Sequence, residues 1–179
     1  MEEFDILNEN GLKINEIRTY NETHDLGLWH NSIEVVVVNN KNEILVQQRQ
    51  SDKDFYPDLW DYSICGHVKS GEMPIEATIR EIKEEVGLNV SEKDLKFLFS
   101  FRQQVIGRSK IESLFVDVFI VKKRFDESEI MLQESEVQAY KLLKLEEIKE
   151  MMDNNLVVCG PEAGQLLGIL EKELNANKR

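Results

Sequence analysis

Residues 66–88 read Gly66-His67-Val68-Lys69-Ser70-Gly71-Glu72-Met73-Pro74-Ile75-Glu76-Ala77-Thr78-Ile79-Arg80-Glu81-Ile82-Lys83-Glu84-Glu85-Val86-Gly87-Leu88. Pro74 suits the first turn of a helix and Gly87 its stop, so the spacing predicts a helix over 74–86. Ile75, Ile79, Ile82 and Val86 recur at helical intervals and define its expected buried stripe. At about 100° per residue, Glu81, Glu84 and Glu85 share a sector turned away from that stripe, which predicts one exposed acidic face. No lysine or arginine falls within that sector. Like charges at these spacings repel by about 0.2–0.5 kcal/mol per pair, and a hard divalent cation reverses the sign. Mg²⁺ takes oxygen ligands and shares its shell with substrate phosphates, so a carboxylate-rich helix beside a cleft suits it. Gly66 and Gly71 bracket the loop before the helix and let backbone approach an ion or phosphate closely. Taken alone, E-x-x-E-E in an acidic chain is more often a solvated face than a metal site.

Outward from this segment the pattern is mostly β. Residues 4–7 and 12–18 read as strands joined by Asn8-Glu9-Asn10-Gly11, a turn sequence that tolerates positive φ, so a hairpin is expected at the start. Residues 32–38 and 43–49 flank Asn39-Asn40-Lys41-Asn42 as a second hairpin. Residues 51–62 read as a surface loop; 97–101, 113–121 and 139–143 read as further strands. Residues 145–152 and 161–174 have helical spacing. Helices interposed once in the middle and again late imply a mixed sheet with helices on its faces, an α/β class, rather than a regular βαβ repeat.

The chain has 179 residues, which bounds it to about one domain. Its 22 Lys and Arg against 34 Asp and Glu give a net charge of −12. So acidic a surface disfavours nucleic acid and anionic membranes, and a phosphorylated small ligand would need a cation. The longest strongly apolar run, Val35 to Val38, is far short of a membrane span. The first residues, MEEFDILNENG, lack the marks of an export signal, and two cysteines make no disulfide framework, so a cytoplasmic setting is expected.

Residues 66–88 match G-x5-E-x7-R-E-U-x-E-E-x-G-U, with U aliphatic, at every specified position. The chain therefore resembles the Nudix hydrolase family, whose box this is. The resemblance implies an α/β/α sandwich with a mixed sheet and a loop-helix-loop box that holds Mg²⁺ or Mn²⁺ against a diphosphate. Carried over by position, it implies metal ligation by Glu81 and Glu85 and by the Gly66 carbonyl. It assigns Glu84 to assist as ligand or base, Arg80 to orient the glutamates, and Glu72 to a structural role. Residues 31–179 would be the hydrolase domain and 1–30 an N-terminal hairpin extension.

A narrower likeness, over roughly residues 4–122, rests on Arg49-x3-Lys53, Pro57-x2-Trp60 and Ser63-x-Cys65-Gly66-His67, with His30 opening the strand before them. These residues resemble the isopentenyl-diphosphate isomerase branch. The resemblance implies that Cys65 matches the catalytic cysteine, that His30 and His67 match metal histidines, and that Arg49 and Lys53 hold the diphosphate. His24 is the third histidine, although it stands six residues before His30, one fewer than the family spacing. Glu112 aligns with the first isomerase glutamate, but the second, which is catalytic, falls on Leu114, an aliphatic side chain that moves no proton. In the isomerase the box is also degraded, whereas here it is intact. Each accessory residue has a plainer reading: histidines that only hydrogen-bond, a Cys65 that packs, and Trp60 and Tyr62 as core aromatics.

The expectation is Mg²⁺- or Mn²⁺-dependent hydrolysis of a nucleoside diphosphate linked to another moiety, or of a related organic diphosphate. Isomerisation of isopentenyl diphosphate and non-catalytic nucleotide sensing are the alternatives. Glu84 within the box, and Glu112, Glu134 and Glu136 outside it, are the candidate bases. The partner is a small-molecule diphosphate rather than nucleic acid or membrane, and a homodimer is left open.

Overall fold

The computed structural model describes residues 2–62 and 64–175; Ser63 of the S-x-C-G-H stretch lies outside them. The first hairpin pairs β1 (Glu3–Leu7) with β2 (Lys13–Thr19), and Gly11 in its turn has φ 78°. A short helix that the periodicity did not predict, α1 (Tyr20–Asp25), follows at once. Its signal is present in the sequence: Thr19 and Glu22 form a capping box, with the Thr19 N–H donating to Glu22 Oε2 at 3.0 Å.

Strand β3 (Trp29–Val38) is the spine of the sheet. Its Ile33 and Val35 to Val38 are buried on both faces, the near-continuous apolar run of a strand enclosed by helices. Along one edge it pairs in parallel with β8 (Ile111–Lys122), from Trp29↔Ser113 to Val38↔Lys122. It also pairs antiparallel with β6 (Ile64–His67), with β1 through Leu7↔Trp29, and with β4 (Ile44–Arg49) through Val38↔Ile44. The turn between β3 and β4 is closed by Asn39, whose Oδ1 accepts from the Lys41 and Glu43 N–H groups at 2.9 Å each. Strand β5 (Trp60–Asp61) and β9 (Val137–Leu143) pair with β4, and β7 (Leu95–Ile106) pairs with β8.

Side-chain alternation along β3 divides the core. Ile33, Val35 and Val37 pack with Ala77, Ile82 and Val86 of α2 (Pro74–Val86). Val36 and Val38 pack with Leu145 and Ile148 of α3 (Leu145–Asp153) and with Leu166, Leu170 and Leu174 of α4 (Ala163–Asn175). The expected α/β/α sandwich with a mixed sheet is thus the fold of the chain.

Three local expectations need correction. Residues 51–62 are not simply a surface loop: Phe55, Asp61 and Tyr62 are buried, and Trp60–Asp61 forms β5. The last helix starts at Ala163, two residues after Pro161. Most consequentially, the acidic face of α2 is not exposed as a whole. Glu81 and Glu85 are 9% and 7% exposed, while Ile75 and Ile79 of the apolar stripe are only half-buried. The sector calculation assumes that one side of the helix packs. Here the sheet takes Ile82 and Val86, and residues 130–133 cover the C-terminal turn, with the Met131 and Gln133 N–H groups donating to Val86 and Glu85 carbonyls at 3.0 Å.

Candidate active site

Helix α2 begins with Pro74 and stops at Gly87, which takes φ 76° and donates its N–H to the Lys83 carbonyl at 3.2 Å. This fixes the phase with which Glu81 and Glu85 meet the sheet. Gly66 of β6 lies opposite Ile33 and so faces α2, whereas Cys65 and His67, opposite Glu34 and Ser32, face the other side. A β-carbon on Gly66 would collide with the Glu81 carboxylate. Only glycine lets that carboxylate lie against the strand.

Arg80 is the cation that the sector argument missed, because its side chain reaches back over its neighbours. It grips Glu72 through Nε and Nη2 at 2.9 Å each, donates from Nη2 to the His67 carbonyl at 2.9 Å, and from Nη1 to Glu81 at 2.5 Å and Glu84 at 3.2 Å. The loop, the helix and β6 are pinned by one bidentate guanidinium. Glu72 also accepts from the Lys69 N–H at 3.0 Å, which closes the loop on itself.

Burial pushes the Glu81 carboxyl above its ordinary range against the pull of Arg80. It pushes Glu85 up to about 8, although Gln47 of β4 donates to Glu85 Oε2 at 2.7 Å. Glu84 stays exposed. Two desolvated carboxylates and a third at the rim form an oxygen donor set of the kind a hard divalent cation takes.

A second cluster stands beside the first. His24 of α1, His30 of β3 and His67 of β6 place their ligand nitrogens within 4.8 Å of one another. His24 Nε2 lies 3.3 Å from His67 Nε2, and Glu112 Oε1 is 3.8 Å and 3.6 Å from those two atoms. His24 Nδ1 contacts the Tyr20 carbonyl at 2.7 Å and His30 Nδ1 the Leu28 carbonyl at 2.9 Å. A carbonyl only accepts, so both rings carry their proton on Nδ1 and turn an Nε2 lone pair inward. His30 Nε2 is buried with no hydrogen-bond partner. Burial, aided by His67, lowers the His24 pKa and takes that of His30 down to about 2, so both rings are neutral. Phe4 stacks on His30 at 5.1 Å and Tyr20 on His24 at 4.1 Å between centroids. Neither aromatic partner was anticipated from the sequence, since both come from the N-terminal hairpin and α1.

The three glutamates of α2, together with His67 and Glu112 of the second cluster, line a single cavity of about 450 Å³ with Arg49, Lys53, Cys65, Gly66, Leu114 and Glu136. Lys53 is ion-paired with Glu136, and Arg49 Nε donates to the Phe55 carbonyl at 3.1 Å. Cys65 is half-buried, with Sγ 3.8 Å from Asp61 Oδ2, so it faces the cavity rather than the core. Tyr62 is a core residue, and Trp60 is half-buried beneath the Lys141 ammonium, 4.3 Å from its ring centroid. Glu134 is exposed and does not line the cavity; its carbonyl accepts from Gln50 at 2.6 Å.

A family model described as NUDIX domain matches residues 28–158. The chain belongs to the Nudix family. It is 30% identical over 151 residues, 84% of this chain and 85% of the relative, to an uncharacterized Nudix hydrolase of Listeria innocua. It is 29% identical over 133 residues, 74% of this chain and 73% of that protein, to isopentenyl-diphosphate Delta-isomerase 1 of Photorhabdus laumondii. The crystal structure of DR0079 from Deinococcus radiodurans shares the fold with a TM-score of 0.70 at 18% identity, covering 94% of this chain and 99% of that one. Among the described residues no helix is long and apolar enough to cross a membrane.

Proposed function

We propose that this Nudix protein is a metal-dependent hydrolase that cleaves the P–O–P bond of an organic diphosphate. The observation that carries this reading is the complete Nudix set, Glu81 and Glu85 buried at the cavity wall and Glu84 at its rim, facing the same space as Arg49 and Lys53. Glu81, Glu85 and the Gly66 carbonyl would hold Mg²⁺ or Mn²⁺. When bound, the cation neutralises phosphate oxygens and acidifies water. Arg49 and Lys53 bind the diphosphate, with Lys53 exchanging Glu136 for phosphate oxygens. Water adds to phosphorus, the bridging oxygen leaves, and the proton passes to Glu84 or Glu136, both at the cavity.

His24, His30, His67 and Glu112 would hold a second ion, one that accepts imidazole as well as oxygen. The buried lone pair of His30 Nε2 supports this site. Residues 1–30 would then be an extension that supplies two of the histidines to the catalytic domain. The isomerase reading finds Cys65 at the cavity but only Leu114 where its second acid belongs, and a hydrocarbon terminus cannot exchange a proton.

The test incubates the protein and its Glu85→Gln variant with Mg²⁺ or Mn²⁺ in deuterated water against nucleotide sugars, dinucleotides, nucleoside di- and triphosphates and isoprenoid diphosphates, with all products followed by mass. Phosphate-bond cleavage that falls by about 10²-fold or more in a folded Glu85→Gln supports hydrolysis. Deuterium entering an allylic diphosphate, lost in Cys65→Ala, would establish isomerisation instead. Ligand-dependent stabilisation with no product at all would establish sensing.

A further inference from the structure

The end of the cavity beyond Cys65 is acidic and buried. Glu34 of β3, Asp61 of β5 and Glu162, just before α4, are 7%, 5% and 7% exposed, and all three line the cavity with Tyr62, Leu114 and Val158. None belongs to the Nudix box or to the histidine cluster. Glu34 sits opposite Cys65 in the β3–β6 pairing, which puts its side chain on the same face of the sheet. Glu162 is brought there by the segment before it, because the Val158 N–H donates to the Trp60 carbonyl at 2.8 Å and Val157 bridges to Trp60.

Glu162 is the informative member. Tyr62 donates its hydroxyl to Glu162 Oε1 at 3.3 Å, but Oε2 is buried without a hydrogen-bond partner. A side chain on Gly160 would collide with that oxygen, so the backbone there is kept bare to admit it. A desolvated acceptor left without a donor is costly, of the order of 1–3 kcal/mol, and a ligand that supplies the donor recovers it. A hydrocarbon placed against Glu162 Oε2 would leave that oxygen unsolvated, whereas a hydroxyl or ammonium proton would satisfy it.

Resting on the hydrolase reading, we propose that this end of the cavity is a subsite for a donor-rich group attached to the diphosphate, with Glu162 as its principal acceptor. The shared chemistry is O–H or N–H protons, from the hydroxyls of a sugar or from a primary ammonium. An isoprenyl tail is excluded from it.

The experiment measures kcat and KM of the intact chain with Mg²⁺ on ADP-ribose, CDP-ethanolamine and isopentenyl diphosphate, following cleavage by mass. At least one of the first two is expected to exceed isopentenyl diphosphate by about tenfold or more in kcat/KM; preference for ADP-ribose assigns sugar hydroxyls, and preference for CDP-ethanolamine assigns the ammonium. Glu162→Leu raises KM for the preferred compound about tenfold or more with kcat held within about threefold, the loss expected of one hydrogen bond to a charged group. Glu162→Gln keeps the shape and one acceptor, and raises that KM about threefold even if the leucine variant does not fold. Equal turnover of isopentenyl diphosphate, or KM ratios unmoved in Glu162→Gln, overturns the subsite and leaves the hydrolase standing. Failure of the wild-type chain to cleave any of the three, while it cleaves other diphosphates, also overturns the subsite; failure on every diphosphate overturns both.

Discussion

His24 Nε2 and His67 Nε2 stand 3.3 Å apart although 43 positions separate them in the chain. With the Nδ1 proton of His24 committed to the Tyr20 carbonyl, its Nε2 is a lone pair aimed at another ring nitrogen. Either one proton on His67 bridges the pair or a cation does. The carboxylate of Glu112, within 4 Å of both nitrogens, adds the negative charge that favours a cation.

Titration with Co²⁺ checks this directly. Wild-type protein stripped by chelator should regain one tightly held ion with the visible absorption of nitrogen and oxygen ligation. His67→Ala and His30→Gln should each weaken it about tenfold or more. Absorption unchanged in both variants would show that the histidines serve packing alone.

Gly66 and Glu81 should behave as one unit. Gly66→Ala forces the Glu81 carboxylate off the strand, so its effect on metal-dependent turnover should match that of Glu81→Ala, about 10²-fold, with a stability cost of about 1–3 kcal/mol from crowding. The double variant should be little worse than either single one, the non-additivity of contacting residues. Additive losses would separate the two positions.

Arg80 holds Glu72, Glu81 and Glu84 together, and its removal leaves the sheltered carboxylates of Glu72 and Glu81 without their guanidinium partner. Arg80→Ala should lose about 3 kcal/mol in a chelator. Saturating Mg²⁺ should recover a large part of that loss, because the cation meets the same charges. Urea melts with and without Mg²⁺ report it; an identical loss in both conditions would place the ion elsewhere.

Glu85 carries a pH signature in metal-free protein. Its folded-state pKa of about 8 lies above the ordinary carboxylate value of 4.5, so the folded chain binds the proton more tightly. The stability this contributes is fully present below about 4.5 and lost as the pH rises through about 8. Glu85→Gln cannot ionise, so relative to wild type it should gain stability between pH 5 and pH 9 in a chelator. A gain of about 1 kcal/mol corresponds to about 2–4 °C in Tm for a chain of this length. Comparing the two proteins at each pH cancels the histidines, whose lowered pKa values act in the opposite direction.

By itself the sequence determined the Nudix box, the helix that carries it and the mixed α/β class, whereas the grouping of His24, His30, His67 and Glu112 was only suggested by resemblance until the fold brought them together. The first three features are local or motif-borne: Pro74 and Gly87 set the ends of α2 by their own backbone geometry, and the spacing of the glutamates follows from the helical repeat. The depth of Glu81 and Glu85, the reach of Arg80, and the approach of Glu162 to Tyr62 from 100 positions away were decided only in the tertiary structure. Periodicity describes one face of an element, but burial depends on everything that packs around it. Here β6, the cover at 130–133 and the segment before α4 close on the cavity from distant parts of the chain, and the charges they enclose acquire their chemistry there.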